Sequence, residues 1–153
     1  MYSGKEENLI VFRFQDGKDV IESLKQVTEK HHIHSGIILS GIGMLRHFEI
    51  SFYSREKARY ATQKFNEPVE LLSFSGNIST RNNETFFHLH VALAREDNSA
   101  IGGHLKNATV HNTLEGVIMK LSQIRLARDS ATGVLSVSQH GNNEKQNWRK
   151  KMG

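Results

Sequence analysis

Ten consecutive residues, Phe86-Phe87-His88-Leu89-His90-Val91-Ala92-Leu93-Ala94-Arg95, leave little freedom to the segment that contains them. In a β-strand, successive side chains point to opposite faces. Phe87, Leu89, Val91 and Leu93 then make one apolar face, and the other carries Phe86, His88, His90 and two alanines. His88 and His90 share a face, with Cβ atoms roughly 6.5–7 Å apart by strand rise. Two imidazoles at that spacing can converge on one ion, and Ala92 leaves room beside them.

The next turn of the chain decides whether a third imidazole joins them. Glu96-Asp97-Asn98-Ser99 is a polar, turn-forming run, so the chain is expected to double back as a hairpin. A two-residue loop at Asp97-Asn98 would set His104 opposite Val91, on the apolar face. A three-residue loop, or a one-residue bulge at Gly102-Gly103, sets His104 opposite His90 instead. Metal binding by His88, His90 and His104 therefore requires one of those two irregularities. Histidines on strands otherwise serve as partly exposed, hydrogen-bonded residues.

Cysteine is absent, which excludes disulfides and thiolate ligands. A metal would need imidazole, carboxylate or water, the donor set of an open zinc or similar divalent transition-metal site. An apolar fraction of 37% and a charged fraction of 24% over 153 residues suit one soluble domain. The opening residues have no apolar signal core, and no run reaches membrane-spanning length, so a cytoplasmic protein with no membrane partner is expected. The net charge of +4 is unevenly placed: residues 140–153 hold four of the twenty basic and one of the sixteen acidic side chains. The remaining sixteen basic and fifteen acidic groups leave residues 1–139 at +1, a poor footprint for nucleic acid.

Along the chain, residues 8–14 read as a first strand, and Val20, Ile21, Leu24 and Val27 mark an amphipathic helix over Asp19 to Lys30. His31, His32 and His34 finish that helix, where polar or cationic groups suit its C-terminus. Ser35 to Leu45 is a glycine-interrupted buried strand, with another at Phe48 to Tyr53. Gly41-Ile42-Gly43 lacks the third glycine and the helix of a nucleotide loop. Arg55, Lys57 and Arg59 would share one face if they lay on a strand, as a phosphate patch or a solvated edge. Tyr60 to Phe65, Val69 to Ser79, Ile124 to Arg128 and Gly133 to Val137 read as further strands. Residues 109–121 fit a helical and an alternating pattern alike; Gly116 disfavours helix by about 1 kcal/mol relative to alanine and tilts the reading to strand. The whole is an α+β domain over residues 1–138, a largely antiparallel sheet flanked by one main helix. Residues 139–153 form a polar, basic and mobile tail.

Several motifs occur together and in order: Gly41-Ile42-Gly43, Glu70 to Ile78 (E-L-L-S-F-S-G-N-I), His88-Leu89-His90-Val91, Gly102-Gly103-His104-Leu105, Val110, Glu115 and Thr132-Gly133. With them the chain resembles the "plants and prokaryotes conserved" (PPC) family, the domain found with AT-hooks in plant nuclear proteins, over residues 8–138. The resemblance implies an α/β domain that assembles as a homotrimer. It also implies a metal, zinc in kind, on the positions His88, His90 and His104. The family's association with DNA does not extend to an AT-hook here, because the chain has no Arg-Gly-Arg-Pro core and its one proline is Pro68.

Three functional readings are compatible with these residues. The first is a metal-binding homotrimeric module for protein interaction or transcription-related DNA binding, with the three basic tails adding weak, salt-sensitive affinity. The second is a metal-dependent enzyme acting on a small substrate, with Glu70, Glu115 or Glu49 as general base or as an orienting partner of a ligating histidine. His111 is its weaker candidate for a fourth ligand. The third is DNA binding through Arg55, Lys57, Arg59 and Arg81, which no helix-turn-helix or basic helix accompanies.

Overall fold

The computed structural model describes residues 1–139. The basic tail lies outside the described residues apart from Gln139. The chain runs β1 (Tyr2–Glu6), β2 (Leu9–Gln15), α1 (Val20–Lys30), β3 (Gly36–Ser54), β4 (Arg59–Phe65), β5 (Val69–Arg81), β6 (Glu84–Ala94), β7 (Ala100–Lys120), β8 (Ile124–Arg128) and β9 (Leu135–Gln139). One helix against a nearly all-antiparallel sheet is the architecture the sequence predicts; a lone parallel bridge joins Thr80 of β5 to Ala127 of β8.

Period-two patterning accounts for the sheet. In β2, Ile10, Phe12 and Phe14 are buried while their neighbours are exposed, and the two phenylalanine rings stack at 4.5 Å. Phe12 pairs with Gly116 of β7, where an added Cβ would stand 2.4 Å from the Phe12 ring. That contact explains a glycine in mid-strand and settles residues 109–121 as part of β7. On α1, Val20, Leu24 and Val27 are fully buried. Asp19 caps its N-terminus by accepting the Glu22 amide at 2.8 Å, and His31 forms the C-cap.

Four strands close on one another, because β3 pairs with β5, β5 with β6, β6 with β7, and β7 with β3. Leu45, Phe74, Leu89, Val91 and Leu105 are buried in the resulting core. To turn through that closure β3 must bend. The two strands expected at residues 35–45 and 48–53 are one 19-residue strand, broken in register at four points and kinked at His47, where φ is +47°. Gly43 takes φ +136° at one of these shifts, and a Cβ there would lie 2.1 Å from the Thr113 carbonyl oxygen. A bulge, and not a nucleotide loop, is what Gly41-Ile42-Gly43 encodes.

One expectation needs correction. Arg55 and Lys57 lie in the turn between β3 and β4, and Arg59 begins β4, so the three do not form a row on one strand. Residues 2–6, to which the sequence pattern assigns no element, form the edge strand β1 against β2.

Candidate metal centre

The hairpin of β6 and β7 builds the site. Arg95 donates its amide to the Ser99 carbonyl at 3.0 Å, enclosing a three-residue loop, Glu96-Asp97-Asn98, in which Asn98 adopts φ +62°. An asparagine tolerates that left-handed conformation at little cost. The loop length sets the register: Ala94 faces Ala100, Ala92 faces Gly102, and His90 faces His104. Of the two irregularities that could bring His104 onto the histidine face, the three-residue loop is the one present.

His88, His90 and His104 converge. Their ring centroids lie 5.0–5.5 Å apart, and one nitrogen from each falls within 4.8 Å of the others. His88 Nε2 and His90 Nε2 are 3.2 Å apart, close to the roughly 3.3 Å between two nitrogens on a tetrahedral zinc ion. His104 Nδ1 is buried with no hydrogen-bond partner. Three imidazoles, one with an orphaned buried nitrogen, fit a borderline-soft divalent ion.

Electrostatics favour the ligating form. Burial first, and the neighbouring Lys106 next, push His104 down to about 4; burial and then Arg128 lower His88. Both rings are neutral at pH 7, as ligation requires. In the unfolded chain a histidine titrates near 6.5, so there the proton is taken up first as pH falls. The stability that His104 contributes to metal-free protein is therefore complete above about pH 6.5 and is lost toward about 4, and the His88 contribution changes in the same direction. Thermal melts in chelator are expected to show Tm falling between pH 7 and pH 5, with a shallower fall in His104→Leu; equal slopes in both proteins would refute this assignment.

The surroundings were not apparent from spacing. Arg128 of β8 donates from Nη2 to His88 Nδ1 at 2.8 Å and to Asn77 Oδ1 at 3.0 Å, and from Nη1 to the Gly133 carbonyl at 2.9 Å. Tyr60 of β4 packs its ring 5.4 Å from that of His104, with Lys106 Nζ 4.5 Å from the Tyr60 centroid. Nothing local in the sequence ties β8 or β4 to the histidine hairpin.

Other candidates lie elsewhere. Glu70 pairs with Ala94, four residues or about 13 Å along β6 from His90. Glu115 sits far along β7 opposite Arg13 and Ile42, and Glu49 pairs with Lys64 at 2.8 Å. No carboxylate belongs to the converging group among the described residues. His111 is held by Arg46 beside Asp16, and His31 bonds Ser3 Oγ at 3.0 Å. Arg81 donates to the Ser130 carbonyl at 2.7 Å near the site.

Known proteins give this arrangement a context. A metal-containing protein of Archaeoglobus fulgidus is 33% identical, the match covering 90% of this chain and 96% of that one at a TM-score of 0.75. A candidate DNA-binding protein of Bacteroides thetaiotaomicron is 26% identical with the same coverage and a TM-score of 0.81. A plant- and prokaryote-conserved protein of Pyrococcus horikoshii is 28% identical over 92% of this chain and 95% of its own, with a TM-score of 0.76. Bifunctional protein GlmU of Synechococcus sp. (strain JA-3-3Ab) is 28% identical over 132 residues, and the chain spans 19% of its length. Among the described residues no helix is long and apolar enough to cross a membrane. Residues 1–122 match the model of the Plants and Prokaryotes Conserved (PCC) domain, and the chain belongs to that family.

Proposed function

We propose that the protein is a metal-binding, homotrimeric interaction module in which His88, His90 and His104 hold zinc or a similar divalent ion. The convergence of three imidazoles from one hairpin carries this reading. The metal-containing relative from Archaeoglobus fulgidus supports it. An ion held by three histidines keeps a coordination position open and acts there as a Lewis acid. The chain's own part is to hold the His88 and His104 rings in their neutral form and to fix His90 and His104 across one strand pair.

Assembly is supported by apolar side chains left on the outside of the sheet. Ile42 and Leu72 are 63% and 58% exposed, and they adjoin Gly43 and Leu71, which pair across β3 and β5. A second copy would cover such a patch. DNA as a partner is supported by the candidate DNA-binding relative, but the near-neutral charge of residues 1–139 confines it to weak, salt-sensitive contact.

Elemental analysis of protein purified without a histidine tag, together with its mass in solution, tests the proposal. About one zinc or similar ion per chain and a mass three times 17.4 kDa are expected. Protein that takes up no added zinc, or that runs as a monomer, would overturn the corresponding half.

A further inference from the structure

We infer that the histidine centre is a receptor for a small oxyanion, a carboxylate or a phosphate, held jointly by the ion on His88, His90 and His104 and by the guanidinium of Arg128. This rests on the metal-centre reading.

Among the described residues, cations gather around the three rings while no carboxylate joins the ring group itself. Arg128 and Arg81 flank the Phe86 ring at 5.2 and 5.7 Å, and the Nε of each is buried without a hydrogen-bond partner. Lys106 stands over Tyr60 on the other side. The carboxylates of Asp16, Glu22, Glu49 and Glu67 are paired with other cations. Adding a divalent ion to three neutral ligands and three fixed cations makes a site whose missing component is an anion.

Arg128 is also arranged to change partners when the ion binds. A guanidinium can only donate, so His88 Nδ1 must accept its bond. The neutral His88 ring then carries its proton on Nε2, shared with His90 Nε2 at 3.2 Å. Ligation through His88 Nε2 requires that proton to reside on Nδ1. The contact with Arg128 would then be donor against donor, which releases an Nη2 hydrogen while the bonds to Asn77 and Gly133 keep the guanidinium in place. Its planar fork, freed beside the ion, matches a carboxylate or phosphate edge in two parallel hydrogen bonds.

The test uses the full chain loaded with cobalt(II), whose visible absorption reports its ligands. Wild type, Arg128→Gln, Arg128→Lys and the exposed control Arg125→Gln are titrated separately with acetate and with inorganic phosphate, against chloride at matched ionic strength. In wild type and Arg125→Gln one of the oxyanions is expected to shift the spectrum. Arg128→Gln should weaken that response by at least about tenfold, the scale of a charge-assisted pair, with Arg128→Lys between. A response to acetate identifies a carboxylate ligand, and one to phosphate a phosphate. Arg128→Gln is also expected to bind cobalt at least as tightly as wild type in chloride alone, because the competing bond to His88 is gone. Cobalt binding with no oxyanion response, or with equal responses in wild type and Arg128→Gln, would overturn the receptor and leave the metal centre standing. No cobalt spectrum in any protein would overturn both.

Discussion

His104→Ala is expected to reduce metal affinity by more than about a hundredfold, because even the loss of an outer-shell partner costs 10–100-fold. His88 and His90 occupy one strand, whereas His104 is the imidazole from β7 that closes the group. Without it, two imidazoles remain, which already contact each other and, for His88, Arg128. The fold should survive, since β7 is held by its backbone ladder to β3 and β6 and the His104 ring is not part of the apolar core. Metal titration of the variant beside His111→Ala separates ligand from bystander, because His111 is engaged by Arg46 near Asp16. Wild-type affinity in His104→Ala would remove that residue from the ligand set.

Gly76→Ala is expected to destabilise the protein by about 3 kcal/mol or more, at the upper end of overpacking effects. A Cβ at Gly76 would stand 2.0 Å from the His88 carbonyl oxygen and 3.0 Å from the Leu89 Cα. Both are backbone atoms of the paired strand, so no rotamer relieves the clash and β5 must part from β6. The displaced segment carries His88, and ligand positions tolerate about 0.5 Å of error. Metal affinity should therefore fall with stability. Gly4→Ala is the control: nothing lies within 4 Å of a Cβ there. Denaturant melts showing a loss below about 1 kcal/mol for Gly76→Ala would contradict the close approach of these strands.

The convergence of the three histidines was legible in the sequence because its determinants are local. Alternation put His88 and His90 on one face, and the length of a single loop decided where His104 would fall. The helix was equally plain, with Asp19 as a cap and Val20, Leu24 and Val27 at helical spacing. Failures occurred where longer-range forces decide. Arg46-His47 reads as a break between strands, yet pairing on both sides carries β3 through it as a bend. The polar residues of β1 give no alternation, since that strand lies at an edge and buries little. Arg128 reaches His88 because β8 docks beside β5, a juxtaposition created by the fold and not by any motif.

The three-residue loop between β6 and β7 also bears on the order in which the molecule forms. Residues 88 to 104 need only that short closure to bring all three imidazoles together, whereas Phe14 must find Leu114, 100 residues further along the chain. The entropy of closure rises with loop length, and topologies rich in distant pairings fold on the slower millisecond-to-second scale. The histidine hairpin is thus expected to form early, as the locally encoded part of the sheet, and β2 to dock onto β7 late. A metal ion present during refolding would meet its three nitrogens before the N-terminal strand arrives, and would act as a clamp on the nascent hairpin.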